Sequence, residues 1–144
     1  MRLNEMMHEY PVCCDEFTTA QKAAEIMKEQ NTGVLPVIEK DSPGKLIGIV
    51  TDRDLCLRVI SEGRDPKKTK VYECMTSSPV CTGASDDLEY AMVLMQEHQV
   101  RRIPIVDAQG RIRGMVTLNN LLTSLEPARI VQMLKAAIPV KARS

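Results

Sequence analysis

Two short segments of the sequence carry the same pattern of residues that could bind a ligand. They read GIVTDRD at positions 48–54 and GMVTLNN at positions 114–120. In each, two apolar residues can finish a buried strand, and a threonine with a polar residue three positions later can begin a helix. A strand-to-helix turn of this kind exposes backbone N–H groups and the positive end of the helix dipole, which favour a bound phosphate. Thr51 and Thr117 would add a hydroxyl, and the Asp54 carboxylate could accept from two neighbouring hydroxyls, such as those of a ribose.

The same residues also suit a purely structural role. Threonine is a good N-cap residue, and a carboxylate in the first turn suits the helix dipole. Capping alone would explain one of the two segments. It does not require that both have the same preceding strand, threonine and spacing, so we interpret both segments as nucleotide-binding turns as well. Asn120 stands where the first copy has Asp54, and hydrogen bonds without charge assistance are about half as strong. We therefore predict that the site of Thr51 and Asp54 binds more tightly, and that the site of Thr117 and Asn120 is weak, empty or tuned to another ligand.

Composition argues against several classes of function. The chain has 144 residues, enough for one domain or two small ones sharing a core. Its 19 Lys and Arg cancel its 19 Asp and Glu, and only 3% of residues are aromatic, so we expect no nucleic-acid binding. Without a long apolar run or signal peptide, we expect a cytoplasmic protein with no membrane partner. No catalytic triad or carboxylate pair is evident, so we predict no enzyme and no catalytic residues.

The cysteines and histidines do not have the spacing of a metal site. The five cysteines, an odd number, include no C-x-x-C pair, and we expect reduced, mostly buried thiols. His8 and His98 are predicted to be structural or exposed. The sequence therefore predicts no bound metal.

An internal repeat organises the chain. Pro11-Val12-Cys13 matches Pro79-Val80-Cys81 at a shift of 68 residues, and after a turn the shift falls to 66, as in the two GxVT segments. A two-residue deletion is what a surface hairpin tolerates. We divide the chain into a first unit at 1–62, a polar linker at 63–70, a second unit at 71–125, and a C-terminal helix and tail at 126–144.

Within each unit the periodicity predicts the order β-α-β-β-α and an α/β (α+β) fold. We expect first strands around Val12 and Val80, and helices over 18–30 and 86–98 that begin with capping boxes at Thr18 and Asp86. The predicted hairpins pair strands 34–38 with 46–50 and 103–106 with 112–116, followed by second helices over 52–60 and 118–125. Pro36 and Pro104 cannot donate to a ladder, so we expect each at a strand start or on an edge.

The C-terminal segment has no counterpart in the repeat. Pro127 suits a first helical turn, and the apolar residues that follow form one stripe: Ile130, Val131, Leu134 and Ile138. The stripe could pack onto its own domain or form a dimer contact.

The repeated motifs resemble a tandem pair of CBS domains, the regulatory module named after cystathionine β-synthase. The resemblance rests on Met75-Thr76 before Pro79-Val80, on the paired segments Leu35-Pro36-Val37 and Ile103-Pro104-Ile105, and on the doubled GxVT element. It covers roughly residues 3–125. It implies two β-α-β-β-α units packed sheet against sheet about a pseudo-twofold axis, with two clefts for an adenosine compound (AMP, ADP, ATP, S-adenosylmethionine or an NAD-type ligand). It also implies a homodimer; the client protein is open, and no cofactor is required.

The resemblance assigns further residues to these clefts. Threonine and aspartate of the GxVT element would contact ribose and phosphate, which applies here to Thr51, Asp54, Thr117 and Asn120. Arginines suit phosphate oxygens, and the candidates are Arg53, Arg101 and Arg102. An apolar slot for adenine would be lined in one cleft by Val12, Cys13, Val34, Leu35 and Ile49, and in the other by Val80, Cys81, Arg102, Ile103 and Met115. Each arginine could equally be a solvated surface charge, and each slot residue could equally belong to the core. The alternative function is a scaffold whose clefts stay empty and whose helices only dimerise.

Overall fold

The computed structural model describes residues 2–5, 8–9 and 11–137, which form two four-stranded sheets with helices packed against them. The strands are β1 (His8–Glu9), β2 (Cys14–Asp15), β3 (Val34–Ile38), β4 (Leu46–Thr51), β5 (Thr76–Ser77), β6 (Thr82–Gly83), β7 (Arg102–Val106) and β8 (Ile112–Thr117). The helices are α1 (Ala20–Gln30), α2 (Asp52–Leu55), α3 (Leu88–His98), α4 (Leu118–Thr123) and α5 (Pro127–Ala137). The sheet orders are β2-β3-β4-β5 and β1-β8-β7-β6. The predicted mixed fold of two β-α-β-β-α units is confirmed.

The two hairpins are the central pair of each sheet and have matching registers. Val34 lies opposite Thr51 in the first, and Arg102 lies opposite Thr117 in the second. Both contain a register shift near the end of the first strand, and the two-residue deletion falls in the turn that follows. Because β4 and β8 each run directly into a helix, the two GxVT segments lie at equivalent strand ends.

Reciprocal hydrogen bonds join the turns of the two hairpins. The Leu46 N–H donates to the Gly110 carbonyl at 3.0 Å, and the Ile112 N–H donates to the Gly44 carbonyl at 2.7 Å. The same bond is thus made once from each unit, as an approximate twofold relation requires. Together with the matching registers, this supports the pseudo-twofold symmetry that the resemblance implies.

Each sheet is completed by the segment that leads into the other unit. Strand β5 pairs with β4 of the first sheet, and β1 pairs with β8 of the second. Val71 and Cys74, just before β5, are fully buried in the first core, whereas Leu3, just before β1, is fully buried in the second. The Val71 N–H donates to the Thr18 carbonyl at 2.7 Å, and the Leu3 N–H makes the equivalent bond to the Asp86 carbonyl at 3.1 Å. The boundaries at 62, 70 and 125 follow the repeat in the sequence. The sheets do not follow them, because β5 joins the sheet of the first unit and β1 joins the sheet of the second.

The capping boxes predicted at Thr18 and Asp86 are wrong. Helix α1 is capped instead by Thr19, whose Oγ1 accepts from the Lys22 N–H at 3.1 Å. The Asp86 carboxylate turns back to accept from the Thr82 hydroxyl and a backbone N–H of the preceding turn, and these hydrogen bonds lower the pKa of Asp86. Adjacent polar residues compete for the capping position, and the preceding turn decides between them.

The predicted strands near Val12 and Val80 are also misplaced, because β2 and β6 begin two residues later, at Cys14 and Thr82. The prediction that Pro36 starts a strand or lies on an edge strand is wrong as well. Pro36 lies in the middle of β3, a central strand, but β2 pairs only with the two residues that follow it. Beside Pro36 that flank of β3 therefore has no strand partner, so the missing N–H does not break a ladder. Pro104 has the same position relative to β6.

The helix predicted over 52–60 is present: it is α-helical to Leu55 and π-helical over Cys56–Ile60. The helix predicted over 118–125 is shorter, because α4 ends at Thr123. Helix α5 begins at Pro127 as predicted, and Arg129 ties it to α3 through an ion pair with Glu89 at 2.7 Å. Ile138 of the predicted stripe lies outside the described residues. None of the helices in the described ranges is long and apolar enough to cross a membrane.

Gly48 should be sensitive to substitution because β5 crosses it closely. A Cβ at this position would lie 2.6 Å from Met75 Sδ and 2.9 Å from the Thr76 carbonyl oxygen. Overpacking of this kind costs about 1–3 kcal/mol, so we expect Gly48→Ala to lower the free energy of unfolding in urea by that amount. Gly83→Ala is the matched control, since its Cβ would meet only Asp86 Oδ2 at 3.4 Å. Equal stabilities of the two variants would contradict this account of the strand exchange.

Candidate functional site

The first GxVT segment forms a closed hydrogen-bonded turn between β4 and α2. Thr51 is the N-cap, with extended backbone, and its Oγ1 accepts from the Asp54 N–H at 3.0 Å. The Asp54 Oδ2 in turn accepts from the Thr51 N–H at 3.0 Å. Thr51 and Asp54 therefore form the helix cap that the sequence allows, and this cap uses one oxygen of the Asp54 carboxylate. The Asp54 side chain is only 13% exposed, so its second oxygen, Oδ1, is the one left to serve another partner.

Arg58 lies beside this second oxygen and was missed by the sequence analysis. Its Nε is 3.9 Å from Asp54 Oδ1, and its Nη1 donates to the carbonyls of Cys74 at 3.2 Å and Met75 at 2.9 Å. The guanidinium thus joins the Asp54 carboxylate to the segment that enters β5. The only signal in the sequence was the i, i+4 spacing of an acid and a base on a predicted helix.

The second GxVT segment forms the same turn with one added hydrogen bond. Asn120 Oδ1 accepts from the Thr117 N–H at 3.1 Å, and the Asn120 N–H donates to Thr117 Oγ1 at 3.1 Å. In addition, the Thr117 hydroxyl donates to Asn120 Oδ1 at 2.8 Å. The position equivalent to Arg58 is Ser124, whose hydroxyl donates to the Asn120 carbonyl at 2.9 Å. The second turn therefore has neither member of the ion pair found in the first.

The predicted arginines differ in how they relate to these turns. Arg102 is exposed at the start of β7, opposite Thr117, and the Arg101 carbonyl accepts from the Leu118 N–H at 2.7 Å. Both arginines thus belong to the second turn, and no carboxylate in the described part of the chain forms an ion pair with either. Arg53 is exposed in the first turn of α2.

At the first turn the place of Arg101 is taken by Gly33. The Gly33 carbonyl accepts from the Asp52 N–H at 2.9 Å, and a Cβ on the glycine would lie 2.7 Å from Asp52 Oδ2. At the first turn, Gly33 thus lies beside the Asp52 carboxylate. The corresponding residues of the second turn are Arg101 and Leu118. The surroundings of the two turns therefore differ in charge: acids and bases occur together at the first, whereas the charged residues adjoining the second are Arg101 and Arg102.

The residues predicted to line an adenine slot fall into two groups. Leu35 and Ile103 are fully buried in the cores of the first and second units, and Val34 and Met115 are nearly so. The remaining ones have some exposed surface: Val12, Cys13, Ile49, Val80 and Cys81. The structure thus places Leu35 and Ile103 within the cores, and the assignment of the partly exposed group to the wall of a cleft stays a prediction.

The two cysteines of this group are neutral thiols at physiological pH. Burial raises the pKa of Cys13 to about 11 and also raises the pKa of Cys81. Neutral thiols act as small apolar groups, which suits a wall for an aromatic base. Within the residues the structure describes, no three His, Cys, Asp or Glu side chains come together to hold a metal ion.

Comparison with known sequences identifies the family. The CBS domain profile matches residues 3–61 and 71–127, which is most of the chain. The chain belongs to the CBS domain family. The CBS domain-containing protein YhcV of Bacillus subtilis is 45% identical over 103 residues, covering 72% of this chain and 70% of YhcV. Hypoxic response protein 1 of Mycobacterium tuberculosis is 32% identical over 132 residues, covering 92% and 90%.

Solved structures of CBS proteins have the same fold. Hypoxic Response Protein I, crystallised with two coordinated zinc ions, superposes with a TM-score of 0.79 at 28% identity, over 88% of this chain and all of that one. CBSX2, crystallised with AMP, superposes with a TM-score of 0.74 at 28% identity, over 91% of this chain and 98% of the other. The resemblance stated from the motifs is thus confirmed at the level of family and fold.

Arg58 should stabilise the junction between the first turn and β5. Replacing it by alanine removes two hydrogen bonds to backbone carbonyls, so we expect Arg58→Ala to lower the free energy of unfolding by about 1–2 kcal/mol. Hydrogen exchange at Thr76 and Ser77 should accelerate at the same time. Arg53→Ala, an exposed arginine on the same turn, is the control and should change stability by less than about 0.5 kcal/mol. Unchanged exchange at β5 in Arg58→Ala would show that the guanidinium does not hold this strand.

Proposed function

We propose that this CBS pair is a regulatory module without catalytic activity that binds an adenosine-containing small molecule at its two GxVT turns. The observation that carries the proposal is the repetition of one hydrogen-bonded Thr-x-x-Asp/Asn turn at equivalent strand ends of both units. A single turn would be explained by capping alone. The crystallisation of the similar protein CBSX2 with AMP supports an adenosine compound as the ligand.

At the first turn, Asp54 and Thr51 would hold the ribose. Oδ2 of Asp54 already serves the Thr51 N–H, so a ribose hydroxyl would donate to Oδ1, which now faces Arg58. The Thr51 Oγ1 accepts from the Asp54 N–H and keeps its own proton for a ligand oxygen. A ribose at Asp54 would then compete with Arg58 for this oxygen or bind beside it. The Arg58 guanidinium could in turn bind a phosphate of the ligand.

At the second turn, the same groups are less available. The Thr117 hydroxyl is committed to Asn120 Oδ1, and that oxygen also accepts from the Thr117 N–H. A ribose would have to break one of these bonds or accept from the Asn120 amide nitrogen, without help from a charge. We therefore propose that the second site binds more weakly, and that Arg101 and Arg102 make its affinity depend on ligand phosphates.

A second candidate function, a dimerising scaffold, is favoured by apolar side chains exposed on the helices. Ile60 is 64% exposed, and several others are about half exposed: Leu57, Tyr90, Val93 and Val131. Burying such residues in a homodimer would be favourable at roughly 25 cal/mol per Å². Dimerisation is also compatible with ligand binding, so we propose a homodimer with an adenosine ligand, acting on a client protein.

The proposal is tested by calorimetry and thermal unfolding with adenosine, AMP, ADP, ATP, S-adenosylmethionine and NADH. A ligand at a hundred times its dissociation constant should add about 2.7 kcal/mol to the free energy of unfolding. Asp54→Ala should weaken binding about 10- to 100-fold, the range for losing a hydrogen bond to a charged group. Asn120→Ala removes the equivalent capping bonds of the second turn and is therefore the matched control; it should leave the tighter site intact.

Two results would count against the proposal. If no compound of the panel stabilises the protein, the proposed binding of an adenosine compound is contradicted and the scaffold function is favoured. If Asp54→Ala and Asn120→Ala lose equal affinity, capping rather than ribose recognition explains the effect, since both variants lose a cap of similar strength.

A further inference from the structure

Arg58 has three partners, which belong to two different parts of the structure. Its Nε lies 3.9 Å from Asp54 Oδ1 at the first GxVT turn. Its Nη1 donates to the carbonyls of Cys74, at 3.2 Å, and Met75, at 2.9 Å. Both carbonyls lie directly before β5, the edge strand of the first sheet. One guanidinium thus joins the acid proposed to bind a ribose to the segment that enters the edge of the sheet.

The same guanidinium is accessible to a ligand. The side chain of Arg58 is 50% exposed, whereas that of Asp54 is 13% exposed. Arg58 lies inside the π-helical turn Cys56–Ile60, and turns of this kind frequently occur at functional sites. In the second unit α4 ends at the matching place, and Ser124, at the position of Arg58, is uncharged. The accessible charge beside the turn is therefore a feature of the first unit.

A second arginine holds the same segment without contacting the GxVT turn. Arg64, just beyond the π-helical turn, forms an ion pair with Glu73. The other carboxylate oxygen of Glu73 accepts from the Lys70 N–H at 2.7 Å. The segment before β5 therefore has two arginine anchors in the part of the chain that the structure describes. Arg58 is the one that also forms an ion pair with Asp54.

A bound nucleotide would compete for both ends of Arg58. A ribose hydroxyl that donates to Asp54 Oδ1 takes the oxygen that the guanidinium now faces. A phosphate of the same ligand offers the guanidinium charged oxygens in place of neutral carbonyls. Hydrogen bonds between charged partners are roughly twice as strong as neutral ones, and the arginine fork matches the geometry of phosphate. The phosphate should therefore draw the guanidinium away from the two carbonyls.

We propose that Arg58 couples a phosphate-bearing ligand at the first GxVT turn to the edge strand β5. Without ligand, Arg58 holds β5 through the two carbonyls that precede it. When a nucleotide binds, Arg58 turns to the phosphate, the carbonyls lose their donor, and β5 loosens from β4. A nucleoside has the ribose but no phosphate, so it leaves Arg58 on the carbonyls. The inference rests on the proposed function and adds its regulation, because the segment that is released leads into the second unit.

The test is hydrogen exchange of the full chain, alone and with saturating AMP or adenosine, with calorimetry on the same samples. AMP should accelerate exchange of the Thr76 and Ser77 amides about fivefold, the factor that corresponds to losing one ordinary hydrogen bond. Adenosine should not accelerate it. A bound ligand stabilises the folded state and so slows exchange in general. Acceleration confined to β5 is thus a result that binding alone does not produce, and this comparison needs no variant.

Two variants separate coupling from simple structural support. In Arg58→Ala, exchange at β5 should be fast without ligand and AMP should not accelerate it further. Its preference for AMP over adenosine should fall about 10-fold, the lower range for losing a hydrogen bond to a charged group. Arg64→Ala, which removes the other anchor and leaves Asp54 and Arg58 in place, is the matched control and should keep both the preference and the response. A purely supporting role of Arg58 predicts faster exchange in Arg58→Ala with an unchanged preference.

Three results would overturn the inference: AMP that binds without accelerating exchange at β5, adenosine that accelerates it equally, or an Arg58→Ala variant that keeps the preference for AMP. Each of them leaves the proposed function in place, because an adenosine compound still binds. If neither AMP nor adenosine binds, this inference is overturned, and the remaining compounds of the panel decide the proposed function.

Discussion

The structure depends on the exchange of edge strands between the two units. Neither sheet can be completed by its own unit, because β5 and β1 come from the segments that lead into the opposite one. Each segment also inserts apolar residues into the core it joins, Val71 and Cys74 in one case and Leu3 in the other. Full burial of a valine or leucine side chain stabilises a fold by roughly 1.5–3 kcal/mol, so separating the units would cost several such contacts. The two units are therefore joined through both sheets and both cores.

This exchange connects the first GxVT turn to the segment that joins the two units. Arg58 contacts Asp54 at one end and the carbonyls of Cys74 and Met75 at the other, and those carbonyls belong to the segment that continues into the second unit. A ligand that alters the contact between Arg58 and Asp54 acts directly on the link between units. Ser124, at the equivalent position of the second turn, donates to the carbonyl of Asn120 within its own helix. The residues that correspond to Cys74 and Met75 are 6 and 7, which lie outside the described residues.

The repeat and the hairpins could be predicted because they depend on local patterns that occur twice. The Thr-x-x-Asp/Asn turns and the strand over 34–38 follow from apolar runs and capping chemistry that the sequence displays directly. The exchanged strands could not be predicted in this way, since β1 and β5 are two residues long and show no periodicity. The N-cap of α1 was misplaced by one residue because Thr18 and Thr19 are both good caps, and the contact of Thr18 with Asp15 decides between them. Arg58 was missed because its partners are backbone carbonyls sixteen and seventeen residues away.

The differences between the two units fall at matched positions, and they change in pairs. The ion pair of Asp54 and Arg58 becomes the uncharged pair of Asn120 and Ser124, so neither charge is left without its partner. Gly33 and Asp52 correspond to Arg101 and Leu118, and a side chain at 33 would require the Asp52 carboxylate to move, since a Cβ there would lie 2.7 Å from its Oδ2. The two turns thus differ in charge at matched positions and keep the same hydrogen bonds that hold each one closed.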